Sequence, residues 1–346
     1  MLTRTLRPIC ILIVLLATGA CGGSTVLPAP SSTVTPTPTP TPAPAAGGLT
    51  TGRVTDALQP GLGLASAVLG GSGFDQATTD AGGNFQLRST AGGTYPLTIN
   101  GTSSYVERRT RVTVPGGNAA FSVIPMTFDL ATFDQSYRSD GTLIRWTSTP
   151  NIVVQRNLVD YGSSVGGYLV LAETISDADL NCLAAYARDA VNVMSGGAVS
   201  VGSVTIGGAQ AGSRVQSLDS ATGGITFGGA RNLGSSGLGG GTYTNSFVIL
   251  RGFAFFSADQ GGGQFLRCGQ PAGLYLHETG HALGYQHVTN QASIMTPILV
   301  SNTLSDFDRQ AIAIVYQRSP GNTSPDVDPT TFSVNVFGGT HHWQIR

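Results

Sequence analysis

The stretch Leu276–Met295, LHETGHALGYQHVTNQASIM, constrains this chain more than any other. His277, Glu278, His281 and His287 fall within a dozen residues. The rest of the sequence is poor in both types, with only His341, His342, Glu107 and Glu173 besides. His277 and His281 are four apart, and on a helix that spacing puts two imidazoles on one face, about a turn apart. Residues 271–283, PAGLYLHETGHAL, read as that helix, with Pro271 in its first turn. Gly284 stands where the helix must end sharply, because glycine tolerates the left-handed conformation. The chain can then swing His287 back toward the first two rings.

Two imidazoles so placed can bind one zinc ion at about 2.0–2.1 Å each. Glu278 projects beside the metal and can hold and deprotonate a zinc-bound water. A catalytic zinc needs a third protein ligand and an open fourth position. No glutamate follows Glu278, and Asp306 and Asp308 in LSDFDRQAI fit a helix start better, which leaves His287.

The spacing H-E-x-x-H-x-x-G-x-x-H resembles the metzincin zinc metalloproteases, with the matrixin-like branch nearest. Ser293-Ile294-Met295 looks like the family's Met-turn, which implies that Met295 forms an apolar floor under the ligands. LSDFDRQAIAIVY, from Leu304, is similar to the matrixin C-terminal helix. The resemblance implies one catalytic Zn2+ on His277, His281 and His287, Glu278 as base, and a protein or peptide substrate; it leaves calcium open. There are departures. Val288 stands where matrixins carry Ser or Thr, and Pro297-Ile298-Leu299 where their specificity wall reads Pro-x-Tyr. The histidines for the second, structural zinc of many matrixins are missing.

Composition removes other chemistries. There is no lysine among the 18 basic residues, which excludes a Schiff base and a phosphate-loop lysine. With 11% charged residues and a net charge of -1, there is no field to steer nucleic acid. Gly162–Gly166 matches G-x-S-x-G, but the following GYLVLAE reads as a strand where a nucleophile elbow needs a helix.

Residues 1–21 read as an export signal: Arg4 and Arg7, an apolar run from Ile9 to Ala17 too short to cross a bilayer, then small residues before Cys21. TGAC resembles a bacterial lipoprotein box, with Thr18 in the usual place of Leu. It implies lipidation of Cys21, a membrane anchor and a place in the cell envelope, at the outer membrane or cell surface; ordinary cleavage after Ala20 would give a secreted protein. Residues 22–48 form a Thr/Pro-rich linker, whose alternating Thr-Pro favours an extended spacer.

The expected fold is multidomain: a β-sandwich over 49–127, then an α/β (α+β) metzincin-like domain over 128–320, and a tail over 321–346. Short strands separated by turns such as TTDAGGNFQL carry the sandwich, and with GRVTD and TYPLTI they resemble carboxypeptidase regulatory-like, transthyretin-type domains. Farther on, Ser176–Met194 reads as a helix with Ser176 as N-cap, and Leu304–Arg318 as a last helix capped by Ser305. Asn151–Val159, VSVGSVTIG and SFVILRGFAFF read as strands; the Gly-rich stretches between them have no assignment. His341 and His342 read as a solvated pair.

With Cys21 lipidated, Cys182 and Cys268 remain as an even pair in an oxidising compartment, which favours a disulfide. The alternative for Cys268 is a cysteine switch, since RCGQP resembles that motif. The sequence thus points to an exported zinc endopeptidase. The alternative is a non-catalytic surface adhesin or binding protein with a structural zinc site, which has no need of Glu278.

Overall fold

The computed structural model describes residues 46–345, apart from 139, 164, 220–222, 271, 299–300 and 331–339. Residues 1–21, read as an export signal with Cys21 at its end, and nearly all of the stretch read as linker lie outside the described residues, as do Ser164 and Pro271. No helix among the described residues is long and apolar enough to cross a membrane.

The first part is a pair of sheets. Strands β1 (Ala46–Asp56), β4 (Asn84–Ala91) and β7 (Ala119–Val123) form one, in the order β4-β1-β7. Strands β2 (Val68–Gly70), β3 (Ala77–Thr78), β5 (Gly93–Asn100) and β6 (Arg108–Val114) form the other, in the order β3-β2-β5-β6. Side chains alternate as a half-buried sheet requires: Phe85 and Leu87 are buried while Asn84, Gln86 and Arg88 are exposed. Val54, Leu69, Phe85, Leu87, Leu97, Ile99, Val112 and Val114 share one core between the sheets. β1 opens at Ala46, inside the stretch read as linker, because the ladder with β4 already pairs Ala46 with Ala91.

The second part is a mixed sheet covered by helices. A short helix α1 (Leu130–Tyr137), capped by Asp129, precedes it. Its strands are β8 (Asn151–Gln155), β9 (Asn157–Asp160), β10 (Tyr168–Thr174), β11 (Val204–Gly207), β12 (Arg214–Val215), β13 (Gly224–Arg231), β14 (Gly237–Thr244), β15 (Ile249–Ser257) and β16 (Thr340–Ile345). β11, β8, β13 and β15 run parallel, in that order. β14 then joins β15 antiparallel, and β16 joins β14 antiparallel. β9 continues from β8 and carries β10 and β12 at the other end.

Helix α2 (Asp177–Met194) has Ser176 as its N-cap, with Asp177 and Asp179 in its first turn, as the sequence indicates. Leu180, Leu183, Ala187 and Val191 of α2 pack with Ile152, Val154, Ile225 and Phe227 of the sheet in one core. Helices α3 (Ala272–Ala282) and α4 (Asp306–Tyr316) complete the fold, which is consistent with a β domain followed by an α/β domain. Cys182 and Cys268 form a disulfide that ties α2 to the segment just before α3, so Cys268 has no thiolate to offer as a switch. Tyr168–Thr174, after the G-x-S-x-G stretch, is strand β10, the wrong context for a nucleophile elbow.

The segment after α4 is no loose tail. Arg318 is fully buried and forks onto Asp326 at 2.6 and 2.7 Å. Arg108 of β6 reaches Asp328 at 3.0 Å, and Arg318 also donates to Ser122 of β7 at 2.8 Å. This buried ionic network bolts the sandwich to the end of α4.

Candidate metal centre

α3 lies under β14 so closely that only glycine fits between them. A Cβ on Gly239 would come within 2.5 Å of the Glu278 carbonyl oxygen and of the His281 Cβ, and one on Gly237 would overlap the Glu278 carboxylate. Gly280 is needed on α3 itself, since a Cβ there would meet the Met295 sulfur at 2.5 Å. α3 ends at Ala282, and Gly284 takes φ +98°, the left-handed conformation expected of it. The chain turns there against Ile144, and Tyr285 anchors the bend by donating its hydroxyl to the Met194 carbonyl at 2.9 Å.

That turn brings the third ring back. His277 Nε2 stands 3.1 Å from His281 Nε2 and 3.3 Å from His287 Nε2. All three ligand atoms lie within 4.8 Å of one another. Nitrogens about 2.0–2.1 Å from a tetrahedral zinc stand about 3.3–3.4 Å apart, so the spacing fits the ion.

The proton positions fit it too. His277 Nδ1 faces the Ile294 carbonyl at 2.8 Å, and His281 Nδ1 faces the Tyr285 carbonyl at 2.7 Å. A carbonyl only accepts, so each Nδ1 carries the hydrogen and each neutral ring turns a bare Nε2 lone pair inward. Burial keeps the rings neutral: it pulls His277 down to about 4, His281 well below the ordinary range, and His287 down as well. Converging lone pairs repel, and a cation between them removes the repulsion.

Glu278 is buried, and one carboxylate oxygen, Oε2, has no hydrogen-bond partner. Burial alone pushes its carboxyl well above the usual range. Beside it opens a cavity of about 410 Å³ lined by Phe265, Leu274, Pro297 and Ile298, and by Ser235 and Ser236. Leu299, the third residue of the expected specificity wall, lies outside the described residues.

Asp308 is no ligand. It closes the capping box of α4 with Ser305 and holds the turn before Met295, accepting from the Ser293 hydroxyl and from the Ile294 amide at 2.9 Å. Met295 is fully buried beneath α3. Sequence reasoning missed this clamp, although an aspartate three residues after a helix-capping serine is a legible signal. It also missed α1, whose Ser136 hydroxyl donates to the His287 carbonyl at 3.0 Å. His341 and His342 stand apart from the cluster on β16, where His342 Nδ1 meets the Thr242 hydroxyl at 2.8 Å.

The matrixin family model (Peptidase_M10) matches residues 272–317, from the start of α3 to the end of α4. The site is matrixin-like. Matrixins use zinc, and with the three-histidine group the match suggests a zinc metalloprotease; it leaves the sandwich unassigned. No curated protein matches the chain. Similar solved structures include two interface mutants of a type II cohesin–X-dockerin complex from Acetivibrio cellulolyticus. The N-terminal mutant shares 20% identity over 22% of this chain and 58% of that one, with a TM-score of 0.19. The C-terminal mutant shares 20% over 22% and 51%, with a TM-score of 0.17. The Bacillus anthracis TIE protein shares 18% over 23% of this chain and 16% of its own, with a TM-score of 0.19. This chain thus spans little more than half of the first two, and likeness at that level says nothing of function.

Proposed function

We propose that the protein is a zinc-dependent endopeptidase that hydrolyses protein or peptide bonds outside the cytoplasm. His277, His281 and His287 would hold the metal, and Glu278 would act as the base. One observation carries the reading: three imidazole Nε2 atoms converging at zinc spacing, with a buried, unpartnered carboxylate oxygen on Glu278, the residue after His277 in the same helix. A purely structural site has no use for that carboxylate.

Bound zinc supplies Lewis acidity toward the scissile carbonyl and lowers the pKa of water. Glu278 takes a proton from the attacking water and delivers it to the leaving amine. Burial raises the carboxyl's proton affinity, which favours its holding the proton until the leaving amine takes it. The apolar cavity beside Glu278 receives a substrate side chain, and Met295 packs under the metal helix. Lipidation of Cys21 and the Thr/Pro spacer would display the enzyme from a membrane of the cell envelope.

Cleavage of casein by the purified protein, abolished by a chelator and restored by zinc, tests the reading. Stoichiometric zinc with no cleavage, in wild type and in Glu278→Ala alike, would leave the structural-zinc adhesin instead.

A further inference from the structure

The strand nearest the metal helix is already paired on its outer side. β14 packs against α3 at Gly237 and Gly239, and β15 takes one of its edges. The other edge would offer unpaired N–H and C=O groups to any extended peptide beside the centre. β16 occupies it, from Thr244 paired with Thr340 to Gly239 paired with Ile345.

The pairing is antiparallel, so residue numbers in β16 rise toward Gly237 and the Glu278 carboxylate. A peptide lying in the same direction would carry its chain past Glu278 into the cavity walled by Phe265 and Ile298. β16 therefore covers the side of the cleft upstream of the reacting bond and leaves the cavity beyond it open.

Side chains fasten β16 there. Trp343 Nε1 donates to the carbonyl oxygen of the ligand His281 at 2.9 Å. Its indole lies where a Cβ on Gly241 would come within 2.7 Å, so a third glycine of β14 makes room for it. His342 meets Thr242, whose hydroxyl donates to the buried carboxylate of Asp219. His341 stacks on Tyr243 at 5.0 Å and bonds Asn245 at 2.7 Å. Yet four of the six residues are exposed, so the strand lies on the surface and reaches the core only through the half-buried Trp343.

We propose that β16 is a tethered competitor of the substrate: it holds the edge of β14 that an extended peptide would pair with, and cleavage requires its displacement. The proposal rests on the endopeptidase reading for its consequence. A tethered strand acts at an effective concentration in the millimolar range, so a free peptide must outcompete it.

The test compares zinc-loaded wild type with Trp343→Ala in two ways. In peptide hydrolysis, W343A is expected to raise kcat/KM about tenfold, mostly through KM, and the free hexapeptide Thr-His-His-Trp-Gln-Ile should inhibit W343A competitively. In binding, the same hexapeptide with a fluorescent label is expected to bind W343A about tenfold tighter than wild type, read by anisotropy without any turnover. His342→Ala, which removes only the bond to Thr242, should shift both readouts in the same direction by less, and serves if W343A does not fold. Equal labelled-peptide binding by wild type and folded variants, or none, overturns the proposal, whether or not peptides are cleaved. Tighter binding with no hydrolysis by any form keeps the tethered strand and removes the endopeptidase reading.

Discussion

The Glu278 carboxylate rests against Gly237, the first residue of β14, with no room for a single carbon between them. The strand thus fixes where the Glu278 carboxylate stands. Gly237→Ala is expected to push the carboxylate aside, leave zinc bound, and lower kcat/KM by roughly 100-fold, because a misplacement of about 1 Å costs that much. Parallel zinc analysis and peptide kinetics check it; unchanged kinetics would mean that Glu278 is not held by β14.

Glu278→Gln removes the proton acceptor and keeps the side chain's shape. Zinc stoichiometry should be unchanged while kcat falls by roughly 100- to 10,000-fold, the usual contribution of a positioned base. Retained turnover would refute the role given to Glu278.

Asp308 reaches the centre through Ile294, whose amide it accepts and whose carbonyl holds His277 Nδ1. Asp308→Ala should weaken zinc binding about 10- to 100-fold, as loss of an orienting partner does elsewhere. It should also shift the urea midpoint downward, since Ser293 and the Ile294 amide lose a buried acceptor. A competition titration with a zinc chelator gives the first number.

The metal-free protein should lose stability as pH falls. The folded His277 pKa is about 4, below its ordinary value, and His281 and His287 are lowered too. Between about pH 6.5 and 4 the three rings therefore bind more protons in the unfolded chain, outweighing the one proton that buried Glu278 retains when folded, so unfolding becomes easier with each step down. Zinc, which binds the neutral rings, should raise the melting temperature most above that window. A melting temperature of the metal-free protein independent of pH across it would contradict the burial of the three rings.

Asp326→Ala leaves the Arg318 guanidinium buried without the carboxylate it forks onto. A loss of about 3–5 kcal/mol is expected, measured by denaturant unfolding, because an uncompensated buried charge is costly.

Much of the centre was legible in the sequence because its cues are local. The i,i+4 histidines, Gly284 as a left-handed stop, and the caps Ser176 and Ser305 each need only a few neighbouring residues to be read. The disulfide followed from cysteine parity together with the expectation of export. What was not legible depends on distant packing. Gly237–Thr244 had no assignment from composition, because glycine is poor in strands; it is a strand because α3 and Trp343 press on it from residues far along the chain. β16 could not be read for the same reason, as its pairing partner lies about a hundred residues earlier.

X-ray absorption at the zinc edge, on protein saturated with zinc and freed of excess, tests the central claim most directly. One zinc per chain is expected, with three imidazole nitrogens at about 2.0–2.1 Å and a fourth position that no side chain fills. A protein that takes up no zinc, or a sphere closed by a fourth side chain, would contradict it.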